Sequence, residues 1–107
     1  MIKLRKSTFV LSLLLTGLLW SCSKVGGPAG NLYTPTSSDV TPNATLAELQ
    51  EGRTLYMNNC GRCHSLVSPD DYTPAGWKSI IAVMGPNTSL SSQELTLVTK
   101  YVSRGRQ

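Results

Sequence analysis

Residues 58–66 read NNCGRCHSL. Cys60 and Cys63 stand two residues apart, and His64, the only histidine of the chain, follows at once. Thiolate and imidazole are both good ligands for transition metals. The stretch therefore either grips a metal directly or grips a group that already carries one, and the rest of the chain has to decide which.

A chain of 107 residues holds one small domain plus targeting and linker sequence. Lys3, Arg5 and Lys6 precede an apolar run from Phe9 to Trp20, broken only by Ser12, Thr16 and Gly17. That run suits the apolar stretch of a signal peptide and falls short of the roughly 20 apolar residues that cross a bilayer. Residues 1–21 are accordingly read as a signal peptide and the chain as exported. The segment LLWSC at 18–22 resembles the bacterial lipoprotein box, with Leu19 three residues before Cys22 and the small Ser21 just before it. Cys22 is then the expected lipidation site, anchoring the chain on the periplasmic side of a bacterial membrane. An unmodified exposed thiol would be a liability in an oxidising compartment.

Past Cys22 the composition changes. Residues 23–44, SKVGGPAGNLYTPTSSDVTPNA, hold three prolines and three glycines among Ser, Thr and Asn. This composition predicts that 22–44 is a lipidated cysteine followed by a flexible tether with an average reach of about 25 Å. Residues 22–107 carry seven basic and six acidic side chains, a net +1. No basic stripe points to nucleic acid.

The working domain is predicted at 45–107. Thr45 with Glu48 has the spacing of a capping box, and Leu46, Leu49, Gly52 and Tyr56 recur at helical steps toward Cys60. Trp77, Ile80, Ile81 and Met84 fall at i, i+3, i+4 and i+7, and Gly85-Pro86 ends that helix. Ser91 with Glu94 repeats the capping spacing before Leu95, Val98, Tyr101 and Val102. No segment alternates like a strand, so the expected fold class is all-α, with about three short helices. A domain of this size buries too little apolar surface to be secure without a staple.

The sequence C-x-x-C-H meets that need as the attachment signature of c-type haem. Each thiol adds across a porphyrin vinyl group to form a thioether, and His64 is carried beneath the ring with a nitrogen toward iron. Covalent linkage to a rigid macrocycle also restricts the unfolded chain, as a crosslink does. A zinc site wants four protein ligands and a second Cys or His pair, and the mature chain has no other histidine. A redox-active thiol pair expects a βαβ setting, which is absent, and an inert structural disulfide is the remaining alternative. One covalent haem c, held by Cys60, Cys63 and His64, is the favoured reading.

With these motifs in order, GRTLYMNNCGRCHSL at 52–66, GWKSIIAVMG at 76–85 and LSSQELTLVTKYV at 90–102 resemble the small monohaem cytochromes c of the class I type. The resemblance implies the cytochrome c fold packed around one haem, with His64 as proximal ligand and Met84 as the sixth ligand. It also implies that Gly52 and Tyr56 meet Leu97 or Tyr101 at a close helix crossing, and that the Pro69 carbonyl orients the other ring nitrogen of His64. A lone histidine excludes bis-histidine ligation within one chain, and a thioether suits haem iron. The blander role for Met84 is to complete an apolar face with Trp77, Ile80 and Ile81. Met57 is the other sulfur, three residues before Cys60 on the attachment side of the ring. Trp77 and Tyr72 are read as core aromatics or as partners of the haem propionates.

Ligation by Met84 would make the protein a one-electron carrier that meets redox partner proteins and acts on no small-molecule substrate. An open or labile sixth position would instead suit a gas or redox sensor, or a weak peroxidase. With its single histidine committed, the chain offers no nucleophile and base pair, so no enzyme is expected.

Overall fold

The computed structural model describes residues 32–107. The stretch read as a signal peptide, Cys22 and the first part of the predicted tether lie outside the described residues. The described chain is all-α: helix α1 spans Leu46–Asn59, α2 Pro74–Met84 and α3 Ser92–Val102, with three short 3₁₀ turns between or before them and no strand among the described residues.

Each helix start has a side-chain cap. At α1 the Thr45 hydroxyl accepts from the Glu48 N–H and the Glu48 carboxylate accepts from the Thr45 N–H, 3.2 and 2.9 Å. Ser91 and Glu94 repeat this exchange at α3, 3.2 and 2.7 Å. Thr73 caps α2 through the Gly76 N–H, with Pro74 in the first turn, where its missing N–H is not needed. Such caps contribute about 1 kcal/mol each. The α2 helix stops at Gly85-Pro86, as predicted, passing into the turn Gly85–Asn87.

Helices α1 and α3 form the main pair, and α2 packs on α3. Leu49, Tyr56, Trp77, Ile81, Val98, Tyr101 and Val102 are the buried apolar residues at the centre. The crossing of α1 and α3 requires a glycine: a Cβ on Gly52 would run into the Leu97 carbonyl and the Tyr101 Cβ. This is the close approach that the resemblance implied.

All five aromatic residues of the described chain belong to one contact series. Tyr33 stacks on Tyr101 with centroids 4.7 Å apart, Tyr101 meets Tyr56 at 5.9 Å, Tyr56 meets Trp77 edge-on at 6.1 Å, and Trp77 meets Tyr72 at 5.4 Å. The first of these lies in the segment whose composition predicts a tether. Within that segment Arg53 Nε donates to the Tyr33 carbonyl at 3.1 Å, and Thr41 and Ala44 exchange backbone hydrogen bonds. These contacts extend the packed unit to Leu32.

Candidate haem site

Helix α1 delivers the first thiol. Cys60 is its C-cap, half-buried, with its N–H donating to the Tyr56 carbonyl at 3.0 Å. Burial pushes the Cys60 thiol pKa up, which keeps it in the neutral form. The chain then turns outward, and Gly61, Arg62, Cys63, His64 and Ser65 are all exposed. Cys60 and Cys63 are free thiols, not joined as a disulfide. Among the described residues, no three His, Cys, Asp or Glu side chains gather to hold a metal ion. A protein-only tetrahedral site is thus not assembled there.

His64 Nδ1 lies 2.8 Å from the Ser65 carbonyl oxygen. A carbonyl only accepts, so Nδ1 is the donor in this hydrogen bond, which leaves Nε2 as the ring nitrogen to face a metal.

The margin of the core is apolar. Leu55, Cys60, Leu66, Val67, Ile80, Leu90 and Leu95 are partly buried and pack against the central cluster. Met84 ends α2 and is 48% exposed, next to Val83 at 67%. The predicted apolar face of α2 is therefore divided. Trp77 and Ile81, four residues apart, face the protein core, while Ile80 packs at its edge and Met84, four residues further on, is exposed. Met57 is half-buried on α1.

The loop that follows the motif is pinned from three sides. The Tyr56 hydroxyl donates to the Val67 carbonyl at 2.7 Å and accepts from the Val67 N–H at 3.1 Å. Trp77 Nε1 donates to the Pro69 carbonyl at 2.8 Å. Arg104 grips Asp70 with two hydrogen bonds of 2.8 and 2.9 Å. The second corrects an expectation: the Pro69 carbonyl takes the Trp77 indole, not His64, whose Nδ1 is served by its own neighbour Ser65. Pro69 and Trp77 are both buried while His64 is exposed, so the buried donor reaches the buried carbonyl. Trp77 is likewise a core aromatic rather than a propionate partner, and Tyr72 is half-exposed with its ring against Trp77. Sequence reasoning missed Tyr33 and Arg104 altogether, since neither sits in a motif.

Two free thiols with two residues between them, an imidazole with Nε2 available and a half-buried apolar margin fit a covalently bound haem.

Comparison with known proteins agrees. The chain is 43% identical over 42 residues to the cytochrome c-type protein TorY of Escherichia coli O157:H7, covering 39% of this chain and 12% of that protein. It is 31% identical over 55 residues to the cytochrome c-type protein TorY of Haemophilus influenzae, covering 51% of this chain and 15% of that protein. The chain thus matches about an eighth of the length of these curated relatives. This likeness supports a c-type cytochrome. No family model and no solved structure matches the chain. Among the described residues no helix is long and apolar enough to cross a membrane.

Proposed function

We propose that this chain is a membrane-tethered c-type cytochrome that carries single electrons through one covalently attached haem. The observation that carries the reading is the CGRCH turn itself: two free thiols and a histidine whose Nε2 is left free, at the edge of a small helical core. In this reading Cys60 and Cys63 hold the haem through thioethers, His64 Nε2 is the fifth iron ligand and Met84 Sδ the sixth. The haem supplies a one-electron Fe(III)/Fe(II) couple.

What the polypeptide does is hold and shield. Tyr56 and Trp77 fix the loop after the motif, so the turn bearing His64 is anchored at both ends. Leu55, Leu66, Val67 and Ile80 present apolar surface that would exclude water from a ring seated there, which favours the less charged ferrous state. Met84, in place, would leave iron no open position, and with the lone histidine committed the chain carries electrons rather than transforming a substrate.

Residues 1–21 act in this reading as the signal peptide, with Cys22 lipidated and the haem domain held on the periplasmic face of a bacterial membrane. Its partners there are redox proteins.

A potentiometric titration followed by absorbance tests the function. A reversible curve with the slope of one electron is expected, with no change on adding carbon monoxide to the ferrous protein. Ready binding of carbon monoxide would favour the alternative, a gas or redox sensor or weak peroxidase with a labile sixth site.

A further inference from the structure

The segment between Leu32 and Ala44 is held at both ends. Tyr33 stacks on Tyr101 at an interplanar angle of 15° and lies beneath the Arg104 guanidinium, whose Cζ is 3.9 Å from the ring centroid. The Tyr33 hydroxyl donates to the Tyr101 carbonyl at 2.7 Å, and the Tyr101 hydroxyl donates back to the Tyr33 carbonyl at 2.9 Å. At the other end the Thr41 hydroxyl donates to the Gly105 carbonyl at 3.0 Å, and Asn43 Nδ2 donates to the Gln107 carbonyl at 3.1 Å.

The C-terminus of α3 is shaped to receive this strap. Arg104 has φ 53 and Gly105 φ 65, both left-handed. For a side chain as long as arginine that conformation costs about 1–2 kcal/mol and persists only where the surroundings enforce it. Here Arg104 meets three segments at once: Tyr33 by a cation–π contact, Asp70 by the paired hydrogen bonds, and Asp39 at 4.0 Å. At Gly105 a Cβ would lie 2.6 Å from Thr41 Oγ1 and 2.9 Å from the Ala44 Cβ. The strap occupies the space that glycine vacates.

We propose that the junction of Tyr33 with Tyr101 and Arg104 is a latch that sets how far the haem domain stands from the membrane. The proposal rests on the reading of Cys22 as the lipid anchor. With the latch closed, ten residue steps join Cys22 to Leu32, a span of at most about 35 Å. With the strap released as far as Thr45, 23 steps would span at most about 80 Å. A closed latch thus keeps the domain within about one domain diameter of the bilayer.

The test uses the full-length, haem-loaded, lipidated protein on a supported bilayer of phosphatidylethanolamine and phosphatidylglycerol. Hydrogen exchange is read over residues 33–44, and neutron reflectometry reads the distance of the protein layer from the bilayer. In Tyr33→Ala the strap amides are expected to exchange at least tenfold faster than in the wild type while α1 and α3 keep their protection and the haem spectrum is unchanged. The protein layer should then move outward and broaden. Arg104→Lys, which keeps the charge but loses the paired hydrogen bonds to Asp70, should give a smaller shift in the same direction. Strap amides as fast in the wild type as in Tyr33→Ala, or faster exchange with an unchanged layer profile, would overturn the latch. A wild-type chain that fails to bind the bilayer would overturn the anchor and the proposal with it. In that case the exchange data would still show whether the strap is held.

Discussion

The indole Nε1–H of Trp77 donates to the carbonyl oxygen of Pro69 at 2.8 Å, with the tryptophan only 2% exposed. This bond ties α2 to the loop that follows the CGRCH turn, and it lies where water cannot replace it. In Trp77→Phe most of the apolar volume stays but the Pro69 carbonyl is left buried without its donor. The expected loss is about 1–3 kcal/mol, read as a lower urea midpoint with an unchanged slope. Faster hydrogen exchange should be concentrated in residues 66–72.

Gly52 sits where α1 touches the backbone of α3. Adding one methyl group in Gly52→Ala sets a Cβ against the Leu97 carbonyl and the Tyr101 Cβ. Helix propensity alone would favour alanine by about 1 kcal/mol, but overpacking a rigid contact costs about 1–3 kcal/mol. The clash involves backbone that cannot rotate away, so destabilisation should win. Thermal unfolding of the holoprotein checks the sign, and a higher midpoint in the variant would contradict the close crossing.

Acid should weaken the fold through its surface carboxylates. The Arg104 guanidinium hydrogen-bonds Asp70 and holds its carboxyl below the ordinary value, the Thr36 backbone N–H does the same for Asp39, and the Lys100 ammonium does so for Glu48. A carboxyl with a lower pKa folded than unfolded contributes stability that is complete above its unfolded value, about 4. That stability is lost as pH falls through the lowered folded value. Asp70 is largely exposed, so its pair with Arg104 accounts for only about 0.2–1 kcal/mol. Asp70→Asn should be less stable than the wild type at pH 7, and the difference should shrink toward pH 3.

Met84→Leu preserves volume and should change stability by less than about 1.5 kcal/mol. It removes the only sulfur that α2 offers. If Met84 ligates iron, the weak far-red ferric band from sulfur-to-iron charge transfer disappears in the variant and the reduction potential falls. Survival of the band in Met84→Leu together with its loss in Met57→Leu would move the ligand to the other sulfur.

Much of the scaffold was legible because it is local. The pairs Thr45 with Glu48 and Ser91 with Glu94 mark helix starts within four residues, and Gly85-Pro86 marks a stop. The members of the CGRCH turn are neighbours in any fold. Gly52 was readable only through the resemblance, since its partner Leu97 is on another helix. What escaped depends on long-range pairing. Tyr33 is a lone aromatic in a proline- and glycine-rich stretch, and its partner Tyr101 lies 68 residues away. The Pro69 carbonyl was expected to serve His64, and burial, which sequence does not display, gives it to Trp77 instead. Met84 lies on the predicted stripe, but the stripe divides between core and margin, and periodicity alone does not show where.

The central claim is that Cys60 and Cys63 are thioether-linked to one haem. The most direct measurement is the intact mass of the denatured protein, purified from cells that mature c-type haem, beside a denaturing gel stained for haem. The account predicts a mass greater than that of the processed, lipidated polypeptide by one haem, colour that migrates with the chain, and loss of both in the variant with Cys60→Ala and Cys63→Ala. A polypeptide of unmodified mass that runs colourless, with haem left at the dye front, would contradict it.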